Sequence, residues 1–179
     1  MNIPARKIWI VTGPRGVGKT RFCTHLVEEA RRKGIKIAGL ICPPAFHEKE
    51  KKAIHIEDLA SGVKGILARV RTAETDQLHT DHWVFDPKMM TWGNDVLGAI
   101  QSCDLLVIDE LGPLEFLRGQ GWQNGLKVIE NGFFNICVVV IRPELVDEAC
   151  SRWPSARLLE IPAGLDEKNE AELIKTILF

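Results

Sequence analysis

The chain has 179 residues, 45% of them hydrophobic and 26% charged, with a formal net charge of −1. This is the composition of an ordinary soluble domain with a real core, and it reads as one domain over 1–179. The charge balance gives no basic excess to suggest nucleic acid or an anionic membrane, and no apolar run is long enough to span a bilayer.

Met1 to Lys7 lacks the apolar centre of a secretion signal. Cys23, Cys42, Cys103, Cys137 and Cys150 are odd in number and never in C-x-x-C spacing, so they read as reduced thiols of a cytoplasmic protein. Ile8 to Thr12 is apolar and β-prone, a buried parallel strand. Gly13-Pro14-Arg15-Gly16-Val17-Gly18-Lys19-Thr20 follows and fits G-x-x-x-x-G-K-[ST] without mismatch. Arg21 to Lys33 has helical spacing, with Phe22, Leu26, Val27 and Ala30 near one face and Gly34 closing it. Lys36 to Ile41 is a second strand, stopped by Cys42-Pro43-Pro44.

His47 to Lys52 is a run of charges that reads as a solvated hairpin tip. Ala53 to Leu59 and Ile66 to Val70 read as antiparallel strands around a Ser61-Gly62 turn, and Trp83 to Phe85 as a short strand. Asp86 caps a helix with Pro87 in its first turn, running to about Gln101. Leu105 to Ile108 is a buried strand ending in Asp109-Glu110. Glycine-punctuated chain follows, with helical character over Leu126 to Glu130. Asn135 to Ile141 and Arg157 to Ile161 are strands, Glu144 to Arg152 is a short helix, and Asp166 caps a final helix to Leu178.

Strand, glycine-rich turn and helix form a phosphate site. Backbone N–H groups of Gly13 to Arg21 face inward, Gly16 and Gly18 keep Cβ atoms out of the way, and the helix dipole adds positive potential. Lys19 is assigned to the β- and γ-phosphates and Thr20 to Mg²⁺. Arg15 fits either a phosphate contact or a solvated loop. Four apolar residues and then Asp109 form a Walker B pattern, on a strand neighbouring the first, and Asp109 is the second Mg²⁺ residue. Glu110 reads as the base that orients the attacking water, with a surface or supporting acid as the alternative. Glu115 fits a metal or water role or a helix cap equally well. Arg142, after a core strand, reads as a γ-phosphate sensor, with a surface ion pair as its alternative and Arg118 as a second candidate. Trp122 fits core packing better than a nucleotide cover. The long interval between the motifs leaves room for extra strands, as in RecA-like ATPases, which hold a strand between the two motif strands. Asp109 to Gly112 also fits D-x-x-G of GTP switches, but no N-K-x-D follows to read guanine.

Ile10-Val11-Thr12-Gly13, Lys33-Gly34, Ala38-Gly39-Leu40, Glu57 to Gly62 and Val107 to Glu115 together resemble the small P-loop nucleoside-triphosphatases, over nearly the whole chain. That family includes the cancer-related nucleoside-triphosphatase and its thermophile relatives. The resemblance implies a RecA-like α/β fold: a mostly parallel sheet, flanking helices and an antiparallel hairpin extension. It implies Mg²⁺-dependent hydrolysis of ATP, GTP and other triphosphates to diphosphate and phosphate, with loose base selectivity. A kinase with an organic acceptor and a slow nucleotide-gated switch are the other functions such a chain serves. Two positions depart from the family pattern. Pro113-Leu114 replaces a Lys-Met pair, leaving one fewer cation near the γ-phosphate, and Pro43-Pro44 stands where a glutamate is usual.

Overall fold

The structure, a computed structural model, describes residues 6–48 and 50–179. The first five residues of the N-terminal stretch, and Lys49 of the charged run, lie outside the described residues.

The apolar run before the glycine-rich loop forms β1 (Lys7–Thr12), and the loop opens into α1 (Lys19–Arg32). The helix begins at Lys19, so the loop's last lysine and threonine form its first turn. Gly34, at φ 70°, turns the chain into β2 (Ile37–Ile41). The charged run falls at the end of a hairpin, as its sequence suggests, with His47 and Glu50 the last pair of the two strands. Pro44 does not end extended chain but opens β3 (Pro44–His47), which pairs antiparallel with β4 (Glu50–Asp58). β5 (Lys64–Val70) and β6 (Trp83–Phe85) complete an antiparallel half-sheet.

Asp86 caps α2 (Pro87–Gly98), its Oδ1 accepting the Lys88 and Met89 N–H groups at 2.8 and 3.1 Å. The parallel half then builds from β7 (Ser102–Leu111), the unforeseen short α3 (Pro113–Leu117), α4 (Gln123–Asn131) and β8 (Phe133–Ile141). A 3-10 turn (Pro143–Leu145), α5 (Val146–Arg152), β9 (Arg157–Glu160) and α6 (Glu167–Leu178), capped by Asp166, close the chain.

One sheet holds all the strands in the order β6-β5-β4-β2-β7-β8-β1-β9, with β3 hanging on β4. β2, β7, β8, β1 and β9 are parallel neighbours. The two motif strands, β1 and β7, are therefore not adjacent; β8 separates them, as the RecA-like pattern has it. That inserted strand comes from chain beyond the acidic motif. The long interval before the motif supplies the antiparallel extension instead.

Period-two alternation divides the core. Ile8, Ile10, Leu106, Ile108, Cys137, Val139 and Ile141 face α2, α4 and α5 on one side. Trp9, Val11, Leu105, Val107, Val138 and Val140 face α1 and α6 on the other. Strands buried on both faces read as continuous apolar runs, which is why their positions were clear in the sequence.

β2 lies so close to β7 that Gly39 is obligatory. It has φ 117°, and a Cβ there would sit 1.9 Å from the Val107 carbonyl oxygen. Gly39→Ala is expected to cost more than about 3 kcal/mol, from backbone strain plus separation of the strands. A shift of the urea midpoint equivalent to less than about 1 kcal/mol would show that β2 can move aside.

Candidate active site

The phosphate loop is held by its own lysine. Lys19 Nζ donates to the carbonyl oxygens of Gly13 (2.7 Å) and Pro14 (3.0 Å), drawing the loop into a ring around the ammonium. Gly16 and Gly18 both have left-handed backbone, at φ 81° and 106°. Gly18 is the N-cap of α1, so no side chain caps the helix, and its first turn carries no acid. The amides and dipole of that turn are left to an anion. Burial holds the Lys19 ammonium below its ordinary pKa, the Glu110 and Asp109 carboxylates pull the other way, and Arg142 adds to the lowering. Arg15 and Arg21 are exposed, with the Arg21 guanidinium lying beside Gly18.

Across the C-terminal edge of the sheet, Thr20 Oγ1 donates to Asp109 Oδ1 at 3.2 Å. Asp109 is 3% exposed, and its other oxygen accepts the Cys42 N–H at 2.9 Å. Desolvation dominates this carboxyl and raises it from 3.8 to about 6, against the stabilising effect of the two hydrogen bonds. A buried acid this poorly compensated fits a site for a hard cation. The Thr20 and Asp109 oxygens are the donor type that Mg²⁺ takes, alongside water and phosphate oxygens.

Glu110 sits in a β-bulge. The three-residue step from Ile108 to Leu111 on β7 faces the two-residue step from Val139 to Ile141 on β8. Glu110 takes up the extra residue at φ 80°, rare for a side chain larger than glycine. Regular pleating would send Asp109 and Glu110 to opposite faces; the bulge re-aims Glu110 toward β8. There Arg142 Nε, just past the end of that strand, donates to Glu110 Oε1. Both side chains are 40% exposed, at the rim of the site. The sequence signal for this pairing is weak, because the bulge is visible only in the register.

The other acid resolves differently. Glu115 is buried, with Oε2 accepting the Gly112 N–H and Oε1 the Trp122 N–H, both at 2.8 Å. It closes α3 and the following loop as a cap, so the helix-cap alternative describes it. Burial raises its pKa, and these amides offset part of the rise. Trp122 is 3% exposed and packs against Gly93 of α2; it is a core residue and no nucleotide cover. Arg118 stands exposed at the end of α3.

One residue that the sequence reading passed over belongs to this neighbourhood. Lys51 of β4 places Nζ 4.9 Å from the centre of the Trp83 ring. Partial burial lowers its pKa, and the charges it senses most are Glu110, Arg15 and Asp109, all at the phosphate site.

Strand order, phosphate loop and acidic bulge define a P-loop α/β protein. The family model described as NTPase matches residues 8–178. Nucleoside-triphosphatase THEP1 of Methanosarcina acetivorans is 36% identical over 108 residues, which cover 60% of this chain but only 61% of that protein. The protein of the same name from Ignicoccus hospitalis is 30% identical over 161 residues, 90% of each chain. Among solved structures, a human cancer-related nucleoside triphosphatase superposes with TM-score 0.71 at 23% identity, covering 97% of this chain and 96% of that one. THEP1 from Aquifex aeolicus gives 0.66 at 20% identity and 96% of each chain. These two likenesses show the fold. The chain belongs to this NTPase family, a family of nucleoside-triphosphatase enzymes.

The raised carboxyl of Asp109 has a measurable cost. Its contribution to stability is complete below the unfolded value of 3.8 and is lost as pH rises through about 6. Asp109→Asn in chelator is therefore expected to be more stable than the parent by about 2–3 kcal/mol near pH 8, with the gain fading below about pH 4. Equal or lower stability of the variant near pH 8, by denaturant titration, would mean that the ionised acid is well compensated.

Proposed function

We propose that the chain hydrolyses nucleoside triphosphates to diphosphate and phosphate with Mg²⁺, with loose selectivity among ATP, GTP and other bases. The observation that carries this is the 3.2 Å contact between Thr20 and Asp109, which joins the phosphate loop to the acidic strand at one sheet edge. Loop amides and the α1 N-terminus bind the polyphosphate, and Lys19 exchanges the Gly13 and Pro14 carbonyls for β- and γ-phosphate oxygens. Thr20 and Asp109 would hold Mg²⁺, which when bound neutralises charge on the bridging and terminal oxygens.

Glu110 is the base in this reading. It takes a proton from the attacking water as the new P–O bond forms and the bond to the β-phosphate bridging oxygen breaks. Without nucleotide, Glu110 is engaged by Arg142. A terminal phosphate is a stronger partner for a guanidinium than a half-exposed carboxylate. Its arrival draws Arg142 away and leaves Glu110 free for water, so phosphate sensor and base fit one exchange.

Nothing in the chain reads a base through a dedicated motif, which supports broad substrate use and leaves the phosphates and Mg²⁺ to supply the affinity. No acceptor-binding motif in the sequence favours the kinase alternative. One continuous sheet supports a single domain over 1–179. Among the described residues no helix is long and apolar enough to cross a membrane, and the five cysteines are free, which supports a cytoplasmic setting.

Phosphate release from a panel of triphosphates, with and without Mg²⁺, tests the reading. Glu110→Gln is expected to lower kcat by roughly a hundredfold or more while nucleotide still binds. Hydrolysis at the parental rate in that variant would remove Glu110 as the base.

A further inference from the structure

The phosphate site has a cation to spare on the antiparallel side. β2 ends where the Cys42 N–H holds Asp109, and β3 begins two residues later. β3 folds back against β4 in the register Pro44↔Ile54, Ala45↔Ala53 and Phe46↔Lys51. The hairpin thus rises directly from the strand end that holds the metal-site acid.

Along β4, Glu50 and Lys52 pair with each other on the outer side. Lys51 is exposed, and the pairing with β3 shifts register between it and Ala53. Its ammonium rests on the Trp83 ring. Among the described residues, no carboxylate lies within ion-pair distance of it, whereas Lys52 and Lys64 of the same hairpin region are both paired. A lysine held on an aromatic face, with site acids as its main electrostatic neighbours, has been kept from neutralisation. The resting contact is weak at an accessible site and is readily exchanged for a phosphate oxygen.

The rest of the site needs such a charge. Arg142 turns to a terminal phosphate only by giving up Glu110. Just after the acidic strand, Pro113 and Leu114 bring no charge. We propose that Lys51, carried by the β3–β4 hairpin, leaves Trp83 to contact the terminal phosphate of the bound triphosphate. The proposal rests on the triphosphatase reading above and adds a substrate-contacting residue that lies on neither motif.

The test uses Lys51→Met, which keeps an apolar stem on Trp83, and Lys51→Arg, which keeps the charge. With Mg²⁺ present, affinities for a non-hydrolysable triphosphate analogue and for the diphosphate are measured by calorimetry, and kcat and KM by phosphate release. Lys51→Met is expected to bind the triphosphate analogue several-fold more weakly with diphosphate affinity unchanged, and to lose roughly ten- to hundredfold in kcat. Lys51→Arg is expected to restore most of both. A parental ratio of triphosphate to diphosphate affinity in Lys51→Met, or an equal loss for both ligands, overturns the proposal, because a purely structural lysine gives one or the other. If the parent itself releases no phosphate, the triphosphatase reading fails, and the binding ratio still decides on Lys51.

Discussion

The hydrogen bond from Thr20 to Asp109 joins two segments 89 residues apart and sets the geometry of everything near them. For it to form, β1 and β7 must end at the same level of the sheet, and β8 must lie between them to set their spacing. The parallel registers secure this: Val11 pairs with Val140, and Ile108 with Val139. The apolar ladders place the hydroxyl and the carboxylate within reach, and the polar chemistry follows from a core that is indifferent to it. This is the usual economy of open α/β sheets, which bind ligands outside the carboxyl ends of their strands.

Where the chemistry needs more than the sheet can give, the backbone departs from regularity. Glu110 occupies a left-handed conformation in a bulge, and the phosphate loop uses two left-handed glycines. Such residues persist only where their surroundings over-determine them. Here the surroundings are Leu111, fully buried beneath, and Glu115, whose two amide contacts fix the turn that follows. Glu115 looked like a candidate for chemistry, yet its contribution is to hold the chain that leaves the bulge.

The parts of this molecule that could be read from residues alone are those governed by local or periodic rules. The phosphate loop was evident because glycines, lysine and threonine stand at fixed offsets between an apolar strand and an amphipathic helix. Asp86 and Asp166 were evident as caps because capping is settled within three residues. The family and its fold were equally legible, and the matching family model bears them out. What escaped depends on distant partners. The pairing of Glu110 with Arg142 needs the β7–β8 register. The strand order needs to be known before the antiparallel extension can be told apart from the strand that separates the motifs. Lys51 looked like one more solvated charge because its neighbours in sequence are charged; only Trp83, far along the chain, marks it as different.

The position of β1 has a consequence for how the molecule comes into being. It precedes every other described strand, yet its ladder partners begin at Phe133 and Arg157. Until those segments exist, the strand that carries the phosphate loop has open edges on both sides and its nonpolar face has no roof from α6. Such long-range closure is slow and leaves unpaired strand exposed. The antiparallel half, by contrast, is built from near neighbours in sequence, and can form while the ribosome is still making the rest. The fold thus keeps its local pairings at the periphery and rests the strand that carries the phosphate loop on its most distant ones.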